Sequence, residues 1–167
     1  MMTPEERAQF LEILSPVLSH PKVREMKNYI QHGSVTTYDH CMAVAEACFL
    51  HARRHPRAHL DVPSLVRAAF LHDFYLYDWH TPGDGTHRFH GYRHARRAME
   101  NARAMFGISD AEAAMIFSHM WPLNLTRLPK TREAWVLTLT DKKISFLETL
   151  TQRKNKKKAN LPEKKVL

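Results

Sequence analysis

Apolar residues recur along most of the chain at intervals of three and four, the spacing that places them on one face of an α-helix. The first such segment begins at Thr3 and Pro4, residue types that suit the cap and first turn of a helix. Phe10 and Val17 then lie on one predicted face before Pro21 interrupts the pattern. The chain is therefore predicted to open with an amphipathic helix.

The same spacing continues through the rest of the sequence. With their capping residues, these patterns predict further helices over 22–31, 36–55, 61–73, 92–106, 109–119 and 131–150. Residues 75–91 break the regularity with Pro82 and Gly83, and a loop of this length is more often functional than a simple connection. No segment alternates apolar and polar residues as a strand does, so the predicted fold class is all-α.

The 167 residues fit one domain with a single core. Residues 1–33 are predicted to form N-terminal helices that pack on a central helical region, 34–150. The remaining segment, 151–167, is predicted to be a basic, disordered tail. The chain is thus expected to form one domain rather than two.

The net charge of +8 is concentrated in this tail. Residues 151–167 contain seven lysines and arginines and one acid, a net charge of +6, which leaves only +2 for residues 1–150. A segment so dominated by charge cannot bury an apolar face and is expected to be solvated. The tail could make weak contacts with nucleic acid, but the body of the protein does not have the charge of a nucleic-acid-binding surface.

Nothing in the sequence indicates a membrane or secreted protein. No apolar run approaches the roughly 18–20 residues that span a bilayer, and the N-terminus lacks the apolar stretch of a signal peptide. Cys41 and Cys48 lie seven residues apart on one predicted helix, roughly 10 Å, which is too far for a disulfide. We therefore expect buried, reduced cysteines, no membrane partner and a cytoplasmic location.

Histidine is unusually frequent, with twelve residues in the chain. Four of them are predicted on or beside helical faces that are otherwise apolar: His40, His72, His94 and His119. One such histidine is more often a hydrogen-bonded core residue than a ligand. Four of them, together with Asp73 and Asp141, favour a metal site, because a buried carboxylate needs a partner. Imidazole and carboxylate ligands suit Fe, Mn, Co, Ni or Zn.

The adjacent pair His72-Asp73 is the most specific part of this set. Neighbouring helical residues point about 100° apart, so both can reach one ion only beside a helix terminus. The long irregular segment begins at that point of the sequence. With His40 before the pair and Asp141 after it, the ligands come from three helices, as in a metal site inside a helix bundle.

The order H…HD…D resembles the signature of the HD-domain superfamily of metal-dependent phosphohydrolases. The resemblance is carried by SVTTYDHCMAVA around His40, LVRAAFLHDFYLYDW around His72-Asp73, and LTLTDKKIS around Asp141. It extends from about Ser34 to Glu148 and implies a compact, single-domain helical bundle of the HD-domain type. It also implies that these four residues bind a divalent metal ion.

Two further segments resemble the dinuclear branch of that superfamily. HARRAMENA and IFSHMWP contain histidines between the HD pair and the last aspartate, and the resemblance implies that His94 and His119 bind a second ion. His90, four residues before His94, competes for this role and would also suit a phosphate contact. The expected cofactor is therefore a pair of divalent transition-metal ions, drawn from Fe, Mn, Co, Ni or Zn.

The resemblance implies hydrolysis of a phosphomonoester or nucleotide by a metal-activated water. The motifs of two better-defined branches are missing. Enzymes that cleave cyclic dinucleotides have a Gly-Lys pair after HD and a Gly-Tyr-Pro element. This sequence contains neither. The glutamate that closely follows HD in the members that cleave nucleoside monophosphates is also absent. A small phosphorylated or nucleotide substrate is predicted, without a narrower class.

Four residues are candidates for the chemistry itself: Asp73, Asp78, Arg93 and Lys142. Arg93 and Lys142, with Lys143, lie near the ligands in sequence and could offset charge on phosphoryl oxygens. Each could equally be ordinary surface charge. Asp78 could assist proton transfer or cap a turn.

Two alternatives use the same ligands. Some proteins with the HD fold and this fuller histidine set bind two irons and oxidise their substrate with O₂. A bundle that binds metal only for stability is the third reading, and it predicts a site closed to solvent. The long segment 75–91 favours an open site and hence an enzyme.

Overall fold

The structure is a computed structural model that describes residues 2–80 and 88–159, with side chains as far as Arg153. The described chain is mostly helical, as predicted. Its helices are α1 (Pro4–Leu18), α2 (Pro21–Glu25), α3 (Thr37–Arg54), α4 (Val62–Leu71), α5 (His90–Phe106), α6 (Asp110–Ser118) and α7 (Arg132–Ala159). Two 3₁₀ turns, Met26–Asn28 and Pro56–Ala58, and two short strands, β1 (Ile30–His32) and β2 (Val35–Thr36), complete the order. The middle of the predicted loop, 81–87, lies outside the described residues.

Side-chain caps fix where several helices begin. The Thr3 hydroxyl accepts a hydrogen bond from the N–H of Glu6, and the Glu6 carboxylate accepts one from the N–H of Thr3, forming a capping box. Ser109 and Glu112 form the same box at the start of α6, as their spacing predicts. Thr36 caps α3 through the N–H of Asp39. These local bonds satisfy donors that a helix start otherwise leaves unpaired.

The second predicted helix is wrong over its second half. Helix α2 ends at Glu25, and Ile30–His32 instead pairs antiparallel with Val35–Thr36. Gly33 makes the turn between the strands with φ of +63°, a left-handed conformation that favours glycine. The short hairpin therefore adds a small β element to an otherwise helical fold, and it directs Gln31 inward.

Helix α4 forms the centre of the core. Six of its ten residues are buried, all of them apolar: Leu65, Val66, Ala68, Ala69, Phe70 and Leu71. It packs against α1, α3, α6 and α7. Cys41 and Cys48 of α3 are buried and form no disulfide with each other, which confirms the prediction of buried core cysteines. Because α4 is buried on nearly every side, the residues at its C-terminal end, His72 and Asp73, emerge inside the protein.

Helix α7 continues beyond its predicted end at Leu150 to Ala159. The first part of the segment expected to be a disordered tail is thus helical, and residues 160–167 lie outside the described range. The Gln152 amide donates to the Ser34 hydroxyl at 2.9 Å, so the added turn of helix contacts the hairpin. None of the helices within the described ranges, α7 included, is long and apolar enough to cross a membrane.

A partly buried ion pair joins α4 to α6. Glu112, only 1% exposed, accepts a hydrogen bond from an Arg67 terminal nitrogen at 3.0 Å. The same carboxylate caps α6 by accepting from the N–H of Ser109 at 2.8 Å. Removing one member of such a pair leaves the other charge poorly solvated.

Replacing this carboxylate should therefore destabilise the fold. We expect Glu112→Ala to lower the free energy of unfolding by about 2–3 kcal/mol, since it removes a charged hydrogen bond and a cap. Urea denaturation followed by circular dichroism measures the change. Glu100→Ala, at an exposed position of α5, is the matched control and should change stability by less than about 0.5 kcal/mol. Equal stability of the two variants would contradict the structural importance of the pair.

Candidate metal centre

The six ligands expected from the sequence come together at one buried point. They are His40 from α3, His72 and Asp73 from the end of α4, His94 from α5, His119 from the end of α6, and Asp141 from α7. None is more than 6% exposed. Residues separated by as many as 101 positions in the chain thus share one cluster.

The carboxylate of Asp73 divides the cluster into two halves. Its Oδ2 atom lies 3.3 Å from Nε2 of His72 and 3.9 Å from Nε2 of His40. Its Oδ1 atom faces the other way, 3.2 Å from Nε2 of His94 and 3.6 Å from Nε2 of His119. One oxygen is therefore available to each half.

Asp141 completes the first half. Its Oδ1 atom lies 3.2 Å from Nε2 of His40 and 3.6 Å from Nε2 of His72. The donor atoms of these three residues all lie within 4.8 Å of one another, close enough to bind a single ion. The donor atoms of His72, Asp73 and His119 meet the same limit, so His72 lies between the two halves, and in the second half Nε2 of His94 is 3.0 Å from Nε2 of His119.

The Nδ1 atoms of the four histidines point away from the centre and are all engaged. His72 and His119 each bond the carbonyl three residues earlier at 2.7 Å, and His94 bonds the carbonyl of His90 at 2.9 Å. Nδ1 of His40 lies 2.9 Å from the Glu148 carboxylate. Because these oxygens only accept, Nδ1 carries the proton in each ring. In a neutral ring the lone pair is then on Nε2, the atom that faces the cluster, and this is the arrangement of metal-binding histidines.

Several inward-facing atoms lack a hydrogen-bond partner among the described residues. Nε2 of His72 and Oδ1 of Asp73 are buried without one. The Nε2 atoms of His94 and His119 face each other, and with both protons on Nδ1 neither can donate to the other. Unpaired buried polar atoms are costly, and a cation would satisfy all of them at once. These groups could therefore bind metal ions, and their N and O donors suit Fe, Mn, Co, Ni or Zn.

The electrostatics of the cluster also favour the binding of cations. Burial raises the pKa of the Asp73 carboxyl, but its interactions with His72 and His94 outweigh that effect and hold the pKa well below its usual value. For His40 burial acts against protonation, yet hydrogen bonds with Asp141 and Glu148 raise its pKa to about 10. Both shifts reflect attraction between the carboxylates and the neighbouring imidazoles. Divalent ions would supply compensating positive charge more fully than protons do.

A cavity of about 650 Å³ opens above the cluster. Besides four of the candidate ligands, its wall contains Gln31, His32, Trp79, His90, Gly91, Met120, Pro122, Leu123, Lys142 and Ser145. The cluster is therefore accessible from a space large enough for a small organic molecule. A metal site that served only stability would need no such opening.

Besides the ligands, four residues were predicted to compensate charge or transfer protons: Asp78, Arg93, Lys142 and Lys143. The structure places one of them in the described wall of the cavity. Lys142 lines it and donates to the carbonyl of His119 at 3.0 Å. Arg93 is exposed and lies over the ring of Phe89 instead. Lys143 lines a separate groove between α3 and α7. Asp78 accepts a hydrogen bond from the N–H of His80 at 2.9 Å, which fits the alternative of a turn cap.

His90 lies in the cavity wall rather than among the ligands. Its Nδ1 atom is 2.9 Å from the hydroxyl of Tyr77, and its ring stacks between those of Trp79 and His94. Burial and the neighbouring His94 lower the pKa of His90 to about 3, so the ring is neutral near pH 7. The structure thus favours His94 over His90 as the ligand and leaves His90 for contacts with a bound molecule.

Three residues that support the ligands were missed in the sequence. The Gln31 amide donates to Oδ2 of Asp73 at 2.6 Å, and the hydroxyl of Tyr75 donates to the Gln31 carbonyl at 2.6 Å. Glu148 orients His40. The role of Gln31 could not be predicted because residues 30 and 31 were predicted to be helical, whereas they lie in strand β1. Glu148 follows Asp141 by two helical turns on the same face, a spacing that could have revealed it.

Comparisons with known proteins add nothing to this picture. A scan against protein-family models, a search of curated proteins and a search of solved structures each returned no match for the chain. The resemblance to the HD-domain superfamily therefore rests on the residues quoted above, and the geometry of the cluster stands on its own.

The number of ions can be measured directly. If each half of the cluster binds one ion, protein reconstituted with Mn²⁺ should contain about two ions per chain. His94→Ala and His119→Ala should each reduce this to about one or fewer, because a site that loses one of few ligands loses much of its affinity. His72→Ala and Asp73→Ala should remove nearly all bound metal. Elemental analysis after gel filtration gives the stoichiometry.

His59→Ala is the matched control for these variants, since His59 is exposed at the end of the 3₁₀ turn Pro56–Ala58 and is not among the candidate ligands. It should retain the wild-type metal content. Wild-type protein that never exceeds one ion after reconstitution with Mn²⁺, Fe²⁺ or Co²⁺ would contradict the two-ion arrangement.

The contact between Glu148 and His40 makes a separate prediction. Glu148→Gln keeps the size of the side chain but removes the charge that orients His40, so we expect metal affinity to fall about 10–100-fold. Isothermal titration calorimetry with Mn²⁺ measures the dissociation constants. Glu100→Gln, exposed on α5, should leave the affinity unchanged. An unaltered metal affinity in Glu148→Gln would show that the contact with Glu148 does not affect metal binding by His40.

Proposed function

We propose that the protein is a metal-dependent phosphohydrolase that acts on a small phosphomonoester or nucleotide. The observation that carries the proposal is the carboxylate of Asp73, whose two oxygens face two separate groups of histidines on the floor of an accessible cavity. The order of these residues in the sequence, which resembles the HD-domain superfamily, supports the same assignment. The cytoplasm is the proposed location.

Two divalent ions in these positions would activate a water molecule and polarise the phosphoryl group. The protein's own residues prepare for this chemistry by fixing the ligands. Gln31 and Tyr75 hold Asp73, and Glu148 holds His40. These contacts keep the ligands in place before any ion or substrate arrives, which reduces reorganisation during the reaction.

Lys142 is the residue best placed to offset charge on the substrate. It is half-buried in the cavity wall beside Asp141, and its Nζ atom is anchored to the carbonyl of His119. Burial lowers the pKa of the Lys142 ammonium below its usual value, against the opposing attraction of Asp141 and Asp73. An ammonium in such a site interacts more strongly with a phosphoryl oxygen than one in bulk water does.

His90 can contribute a neutral hydrogen bond. If the hydroxyl of Tyr77 donates to Nδ1, the other ring nitrogen carries the proton, and His90 faces the cavity. A neutral donor of this kind would orient a phosphoryl oxygen without competing with Lys142. This is the phosphate contact that the sequence already indicated for His90.

The proposal is tested by phosphate release from p-nitrophenyl phosphate. We expect turnover after reconstitution with Mn²⁺ and loss of turnover when a chelator removes the metal. Asp73→Asn, which removes the charge between the two halves of the cluster, should reduce kcat at least about 1000-fold while the far-ultraviolet circular dichroism stays unchanged. Lys142→Met should reduce kcat/KM about 100-fold. A fully metal-loaded protein without activity on any phosphomonoester would refute the proposal.

A second candidate function is oxidation of a substrate by O₂ at a di-iron centre. Two observations favour it: four imidazoles in the ligand set suit iron, and Lys142 is the one lysine or arginine that lines the described cavity wall. Consumption of O₂ by Fe²⁺-loaded protein in an oxygen electrode, dependent on an added organic substrate, would support this function. Phosphate release with Mn²⁺ under anaerobic conditions would support hydrolysis instead.

A further inference from the structure

The cavity above the metal centre contains little positive charge of its own. Lys142 is the one lysine or arginine among the described residues that line it. Arg88 and Arg93, the nearest arginines in sequence to His90, are exposed and lie over the ring of Phe89. The sequence TPGDGTH at 81–87 contains no lysine or arginine either.

A charge balance limits what the cavity can bind. Two divalent ions would be partly neutralised by Asp73, Asp141 and Glu148, all within or beside the cluster. With Lys142 included, about two positive charges remain. A single phosphoryl group carries about 1.5–2 negative charges at pH 7 and matches this surplus. A diphosphate or triphosphate chain would bring further negative charge that nothing described in the wall compensates.

One side of the cavity is apolar. Met120, Pro122 and Leu123 follow His119 directly, and Trp79 faces the same space. The indole of Trp79 is held by the ring of His90, with centroids 4.8 Å apart and planes within 11° of parallel. A held aromatic side chain beside aliphatic ones favours an apolar or aromatic ligand.

Three polar groups of the wall, Gln31, Ser145 and Lys142, are committed to the metal ligands, whereas His32 and His90 are not. Gln31 bonds Asp73 and Tyr75, the hydroxyl of Ser145 donates to Asp141, and Lys142 bonds the carbonyl of His119. Few donors and acceptors are then left for the hydroxyl groups of a sugar. Nε1 of Trp79, a buried donor without a partner among the described residues, could bond one polar atom of a ligand.

We infer that the substrate carries one phosphoryl group on an apolar or aromatic body, rather than a polyphosphate or a sugar. The inference rests on the proposed function for the position of the phosphoryl group at the ions and Lys142. The apolar body would then lie against Met120, Pro122, Leu123 and Trp79. This inference narrows the proposed substrates from any phosphomonoester or nucleotide to compounds with a single phosphoryl group and few hydroxyl groups.

Binding of non-hydrolysable phosphonates tests this inference without requiring turnover. In isothermal titration calorimetry with Mn²⁺-loaded protein, phenylphosphonate should bind at least tenfold more tightly than methylphosphonate, because only the former reaches the apolar wall. It should also bind at least tenfold more tightly than 4-carboxyphenylphosphonate, which differs by one further negative charge. A smaller preference in either comparison overturns the inference.

Leu123 allows a matched pair of variants. Leu123→Ala shortens a side chain of the apolar wall and should reduce the preference for phenylphosphonate over methylphosphonate at least threefold. Leu125→Ala, two residues away at a position that is 74% exposed and outside the described wall, should leave the preference unchanged. Metal content is measured in both variants. An unchanged preference in Leu123→Ala, or an equal loss in both, overturns the assigned position of the apolar body.

Turnover of phenyl phosphate, glycerol phosphate and a nucleoside triphosphate separates the two proposals. We expect kcat/KM to be at least tenfold higher for phenyl phosphate than for the other two. Faster hydrolysis of the triphosphate or of glycerol phosphate would support a phosphohydrolase and refute the substrate class. Selective binding of phenylphosphonate without hydrolysis of any ester would refute the hydrolase and support the binding preference of the cavity.

Discussion

The burial of the Asp73 carboxylate is the constraint on which the rest of the site depends. This group is 2% exposed and stands at the end of α4, a helix that is apolar on nearly every side. A buried negative charge is stable only with close compensation. Imidazoles face both of its oxygens, and Gln31 donates a further hydrogen bond. The helices that carry those histidines pack around α4. The packing of the bundle therefore determines whether the Asp73 carboxylate is compensated.

Three of the four histidines are oriented by their own helices. Because His72, His94 and His119 each bond a carbonyl three or four residues earlier, the ring orientation follows from local backbone geometry. His40 differs, since its Nδ1 partner is Glu148, 108 residues away. Its orientation therefore depends on the packing of α3 against α7. The first half of the cluster is thus more sensitive to tertiary structure than the second.

Sequence reasoning was most successful where local periodicity determines structure. The apolar spacing predicted most helices, and a histidine or aspartate on an apolar face was a usable signal because burial of such groups needs compensation. It failed where the outcome depends on contacts distant in sequence. The strand at Ile30–His32 forms only with its partner after Gly33, so Gln31 could not be placed. Arg93 and Asp78 are close to ligands in sequence, yet their side chains lie outside the described cavity wall, because adjacent residues of a helix or turn point in different directions.

The position of α7 after the other ligand-bearing helices has a consequence for biosynthesis. Asp141 and Glu148, which contact His40, are made more than 100 residues after it. A nascent chain therefore exposes His40, His72 and Asp73 to solvent before their last partners have left the ribosome. Incorrect metals could bind such an incomplete set only weakly, since few ligands are preorganised. The complete ligand set therefore exists only after α7 has been synthesised and has packed against α3 and α4.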